Sequence, residues 1–164
     1  METKQAIISI NNYTKLHQNL FDNVQQAFKF IDDVVAKEDV YGLTITETTE
    51  EMMKLDLAGI EIFCKARYDF SNAYILIGIF SSEEDDEHLL ICGEADIDKL
   101  GNVNSHSSLK DIHVWFLRSL VMMLKKIKSI EGVRFPFCKH DLENIAGAKY
   151  ENEERVIQIK VEGI

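Results

Sequence analysis

Apolar residues recur every three or four positions between Asn12 and Lys37. Leu16, Leu20, Val24, Ala27, Phe28, Ile31, Val34 and Val35 fall on one side, with Asp, Asn, Gln and Lys on the other. This spacing predicts a long amphipathic helix. A short strand is expected at Gly42 to Thr46. Thr48 and Glu51 then match a capping box, which favours a brief helix. Met53, Leu55 and Leu57 alternate and would suit a strand equally well, so that segment stays open.

From Ile60 to Tyr68 the period is two. Ile60, Ile62, Cys64, Ala66 and Tyr68 alternate with Glu61, Phe63, Lys65 and Arg67, which describes a strand with one buried and one mostly wet face. Asp69 to Asn72 is short enough for a hairpin turn. Ala73 to Phe80 is apolar at nearly every position, so this strand should lie inside the sheet with both faces covered. The acidic tract Glu83-Glu84-Asp85-Asp86-Glu87 reads as the next turn, and His88 to Glu94 as the returning strand of an antiparallel meander.

Asp96 to His106 reads as loop. Ser108, with Asp111 three residues on, is a capping arrangement that opens a second helix, and Gly132 and Pro136 close it. Its main stripe, Leu109, Ile112, Phe116, Leu120, Met123, Leu124, Ile127 and Ile130, is expected to pack on the sheet. Trp115 and Met122 share a second side, and Val114 and Val121 a third; a helix apolar nearly all round should be covered nearly all round. Asp141 to Ala146 suits a turn or two of helix, and Val156 to Val161 a final strand at the sheet edge.

These elements imply an α+β fold: one domain over residues 1–164, with an antiparallel sheet of about four to six strands and two long helices packed on it. The helices would lie one on each face or side by side. Two layers do not easily cover this much apolar surface, so a third layer or a homodimer through Trp115 and Met122 is expected.

Composition narrows the function classes. An apolar share of 46%, a charged share of 28% and a single proline fit a globular chain without a disordered linker. The apolar stretch at Ala6 to Ile10, interrupted by Ser9, is far short of a signal-peptide core. Val114 to Leu124, the longest apolar run, contains Arg118 and Ser119 and cannot span a bilayer. Cys64, Cys92 and Cys138 are odd in number and lack paired spacing, which fits a reducing, cytoplasmic setting.

A net charge of -10 repels phosphate backbones and anionic head groups, which disfavours nucleic acid and membrane as partners. The charge is polarised, however. His106 to His140 holds seven basic residues (Lys110, Arg118, Lys125, Lys126, Lys128, Arg134, Lys139) against Asp111 and Glu131, a local +5 that leaves -15 on the rest. Such polarity suits a charged partner, although lysines near a helix end also complement its dipole.

Catalytic chemistry finds little support. Cys138-Lys139-His140-Asp141 is the nearest approach to a metal cluster, and that spacing is common by chance. Asp96-Ile97-Asp98-Lys99-Leu100-Gly101 imitates the opening of a calcium loop, but Leu100 and Ser107 break it at the fifth and twelfth positions. Cys64 and Cys92 sit in apolar strands that favour the thiol over the thiolate, two strands apart and so too distant for a disulfide. His113 falls on the apolar side of its helix, and His17 and His106 have no evident partners. Phosphate-loop, serine-elbow and HExxH motifs do not occur, and no cofactor is indicated.

The expectation is therefore a small acidic protein-binding module acting stoichiometrically, of inhibitor, immunity or chaperone type. Its candidate partner-binding residues are Glu83, Glu84, Asp85, Asp86, Glu87, Trp115 and Met122. The alternative is a small-molecule sensor or small enzyme with a pocket between sheet and helix, where Lys125, Lys126, Lys128 and Arg134 would attract an anion. An acidic mimic of nucleic acid would need its carboxylates arrayed along one face.

Overall fold

The helical period at the start of the chain becomes α1 (Thr3–Lys37) in a computed structural model that describes residues 2–38, 40–83, 86–130, 139–146 and 156–158. The helix begins at Thr3 rather than Asn12. No glycine or proline interrupts the segment between them, and a helix once nucleated extends one hydrogen bond per residue. Its burial lies in the second half: Leu20, Val24, Ala27, Phe28 and Ile31 are buried, whereas no residue from Thr3 to Asn19 is, and Leu16 is the partly buried residue where the helix reaches the core.

An antiparallel meander follows in chain order: β1 (Leu43–Thr48), β2 (Met52–Leu57), β3 (Ile60–Tyr68), β4 (Ala73–Glu83), β5 (Asp86–Ile97), β6 (Asn102–Val103) and β7 (Ser107–Ser108). A 3-10 turn at Leu109–Asp111 leads into α2 (Ile112–Lys128). Then come α3 (Lys139–Ala146) and β8 (Val156–Gln158), which pairs parallel to β5. Among the described residues the sheet thus has eight strands, more than the sequence suggested, because Met53 to Leu57 is a strand, the Asp96–His106 segment contains a short one and Ser107–Ser108 forms another. Residues 159–161 of the expected last strand lie outside the described residues.

Turn chemistry corrects one expectation. Thr48 and Glu51 open no helix: the Thr49 hydroxyl accepts the Glu51 and Met52 amides at 3.3 and 3.1 Å and so fixes the β1–β2 hairpin. The β2–β3 hairpin turns through Ala58 and Gly59 at φ 51° and 95°, the paired positive values of a tight two-residue turn. At Asp69–Asn72 the predicted turn forms, with Asp69 Oδ1 accepting the Ser71 and Asn72 amides at 2.7 Å each.

One face of the sheet carries the core. Met53, Leu55, Ile62, Cys64, Ile75, Ile77, Ile79, Leu90, Cys92 and Ile97 point inward against α1, α2 and Leu142 and Ile145 of α3. The two long helices are therefore side by side, and each large side chain buried there contributes about 1.5–3 kcal/mol. The opposite face holds a smaller cluster of Phe63, Leu76 and Ile91, flanked by Met52 and Phe80. This cluster is why β4 is apolar at nearly every position: one of its faces packs on the helices and the other contributes Leu76 and Phe80 to the smaller cluster.

Two glycines permit the curl. A bulge sets Ile77 opposite Gly93 and Gly78 opposite Ile91, leaving Cys92 as the extra residue. A methyl group at Gly78 would overlap the Leu90 carbonyl and press on the Phe63 ring, and one at Gly93 would lie 3.4 Å from Ser119 Oγ. Ser119 of α2 thus faces Gly93 of β5, a contact between two small residues.

Candidate functional site

α2 divides its residues sharply between two sides. Ile112, Trp115, Phe116, Ser119, Leu120, Met123 and Ile127 are buried, and the Ser119 hydroxyl donates to the Trp115 carbonyl at 2.8 Å. On the other side Val114, Val121 and Leu124 are 41%, 49% and 38% exposed, with Leu117 partly buried among them. Their spacing of three, four and three is that of a helix seam made to meet another helix. Leu124 was expected to face the sheet. The tertiary packing turns it outward instead, because Ser119 and the Trp115–Phe116 pair occupy the approach to β4 and β5.

Arg118 and Lys125, both exposed and seven residues apart, flank this seam, with Lys126 and Lys128 exposed on the last turns. α2 contains no acidic residue, and among the described residues none of these cations enters an ion pair; the observed pair is Lys54–Glu47 at 3.4 Å. Lysines in the last turn complement the helix dipole, an effect confined to about one turn. It does not account for Arg118.

Two depressions run along the same shoulder of α2. One, of about 90 Å3, is lined by Asn104, Ser107, Asp111, Val114, Trp115 and Arg118, and the other, of about 370 Å3, by Leu117, Arg118, Val121 and Met122. Arg118 belongs to both, so they form one strip from the β6–β7 turn to the middle of the helix. Trp115 is 6% exposed and belongs to the chain's own core, and among the described residues its Nε1 finds no hydrogen-bond partner. Met122 is partly buried. These two residues wall the strip from below, while its crest is Val114, Leu117, Val121 and Leu124. In the sequence Val114 and Val121 stand out as a third apolar side of the helix, and the same spacing extends through Leu117 and Leu124.

The acidic tract occupies the β4–β5 end. Glu83 pairs across the strands with Asp86, and Ser82 with Glu87, so much of the tract is strand rather than turn; Glu84 and Asp85 lie outside the described residues. So does Arg134, which leaves Lys125, Lys126 and Lys128 on the helix surface and not beside a cleft between helix and sheet.

A second apolar surface surrounds the free half of α1. Ile7, Ile8, Ile10 and Tyr13 are at least half exposed, and Phe70, 79% exposed at the β3–β4 turn, stands 5.8 Å from the Tyr13 ring. Behind them a recess of about 350 Å3 is lined by Leu16, Phe70, Ser71, Asn72, Asp98, Lys99 and Leu100. Asp98 is committed to its own turn, where Oδ1 accepts the Leu100 and Asn102 amides at 2.9 Å each. Those hydrogen bonds hold its carboxyl below the usual range, against burial acting in the other direction. The expected turn after the meander strand is what forms.

Among the described residues no three His, Cys, Asp or Glu side chains gather as a metal site, and no helix is long and apolar enough to cross a membrane. Cys138 lies outside the described residues. Cys64 and Cys92 are buried free thiols on β3 and β5, separated by β4. Burial pushes Cys92 up to about 12, and Cys64 higher still, so both are held as inert thiols. Compared with models of protein families, with curated proteins and with solved structures, the chain matches none.

Proposed function

We propose that this chain is a protein-binding module that acts by stoichiometric association, as inhibitors, immunity proteins and chaperones do. The observation that carries this reading is the outer side of α2. There an apolar seam at helix-pairing spacing lies beside Arg118 and Lys125, with Asp111 at its head, on a chain whose other parts are strongly acidic. Such a surface gains by losing water from its crest, and its charge steers an oppositely charged partner into place. Affinity capture with the full chain over a range of salt concentrations tests the reading. The expected result is a partner held in fixed ratio and released as salt rises; absence of any such partner at low salt would sink it.

A second reading, a small-molecule sensor, is supported by the recess between α1 and the β3–β4 and β5–β6 turns, whose volume of about 350 Å3 is that of a small ligand site. Thermal melting against a metabolite panel separates the two. A tight ligand would raise the melting temperature by linkage, and a pure protein binder would not respond.

A further inference from the structure

We infer that the outer strip of α2 receives an acidic amphipathic helix, whose own apolar residues repeat at three- and four-residue spacing beside carboxylates. This inference rests on the protein-binding reading and specifies its surface and its partner. Val114, Leu117, Val121 and Leu124 supply the seam, and the depression beside Val121 and Met122 accepts a side chain from the incoming helix. Arg118 and Lys125 occupy the flanking positions one heptad apart, where helix pairs select partners by charge.

Charge also decides against a second copy as the occupant. Two α2 helices packed antiparallel along this seam would set Arg118 of each beside Lys125 of the other, twice over, with no acidic residue on either helix to offset the repulsion. A partner bearing Glu or Asp at those positions converts both contacts into attractions. The strip is small: α2 is about 25 Å long and about 10 Å wide, roughly 250 Å2 in projection, against about 800 Å2 per partner for a standard interface. A single helix on it should bind in the micromolar range and respond strongly to salt.

The test uses a synthetic helix of about three heptads with Leu at the seam positions and Glu beside them, and a control with Lys in place of Glu. Trp115, the sole tryptophan, borders the strip and reports binding by its emission. The Glu peptide should bind one to one, about tenfold or more tighter than the Lys peptide, and lose about tenfold between roughly 50 and 500 mM salt. Arg118→Glu with Lys125→Glu should reverse the preference, and Val121→Asp should weaken both peptides about tenfold. These are exposed positions, so melting temperatures should stay close to that of the parent chain.

Equal affinity for the two peptides, binding of neither, or a preference that survives charge reversal would overturn the inference. So would a dimer of the unmodified chain that Val121→Asp dissociates, which would assign the strip to a second copy. If capture yields a stoichiometric partner that Val121→Asp binds undiminished, the module reading stands and this surface does not. If the peptides behave as expected but capture yields nothing, the surface stands and the broader reading falls.

Discussion

Both long helices leave apolar side chains in water, but they do so differently. On the free half of α1, Ile7, Ile10 and Tyr13 step round the helix over an arc of about 120° and Ile8 stands about 160° from Ile10, so no narrow seam holds all four. On α2 the exposed Val114, Val121 and Leu124 lie along one line, with Arg118 and Lys125 beside it. Exposure alone thus distinguishes nothing. Alignment with a helix seam, together with charge of one sign, is what separates a recognition surface from scattered apolar residues that many soluble proteins tolerate.

The comparison can be broken most forcefully on the inner side of α2. Phe116→Ala, at a fully buried position, should cost about 3–5 kcal/mol in urea unfolding, whereas Val121→Ala, five residues on, should stay within about 0.5 kcal/mol. Similar losses at the two sites would mean that the outer side is packed after all. Gly78→Ala comes next. Its methyl group would collide with the Leu90 carbonyl, a backbone atom that cannot turn aside, so β4 and β5 must part at a cost of about 1–3 kcal/mol, read as a lower melting temperature.

The dryness of the helix-covered face can be titrated. Cys64 and Cys92 have folded pKa values raised above that of the unfolded thiol, so the folded state retains protons that the unfolded chain releases. Their contribution is whole below about pH 9 and is lost as pH rises towards the folded value of about 12 for Cys92, at up to about 1.4 kcal/mol per pH unit for each thiol. Replacing both by alanine should flatten the alkaline limb of the stability profile, although each change costs some packing. A limb left unchanged would show that water reaches the thiols.

The smallest effect is expected at the far end of α1. Ile10→Asp should leave stability within about 0.5 kcal/mol, because Ile10 is 63% exposed and the helix meets the core only from Leu16 onward. A larger loss would mean that this half of the helix is covered in solution, and would bring α1 back as a rival to α2.

Much of the scaffold was legible because its signals are local. The alternation from Ile60 to Tyr68, the Asp69–Asn72 turn and the uniform apolarity of Ala73 to Phe80 each follow from a rule that operates within a few residues, and each is found in the fold. The errors came where two local rules competed. Thr48 and Glu51 suit a helix cap, but Thr49 binds the hairpin amides instead, because Met53, Leu55 and Leu57 gain more by lining the core. The capping pattern before α2 likewise marked the right place without supplying the bond: neither Ser108 nor Asp111 makes a side-chain cap, and a 3-10 turn intervenes.

The amino-acid order by itself determined which residues share a face, since the periods of helix and strand are properties of the backbone. It also determined the separation of charge, with an excess of cations between Lys110 and Lys139 and an excess of carboxylates over the rest. Only the tertiary structure decided which shared faces meet something. Trp115 and Leu124 are equally apolar in sequence, yet one lies in the core and the other in water. The reason is that a helix can turn only one side to a sheet, and here that side carries Trp115, Phe116, Ser119, Leu120 and Met123, with Ser119 facing Gly93. With that side inward, Val114, Val121 and Leu124 are left in water.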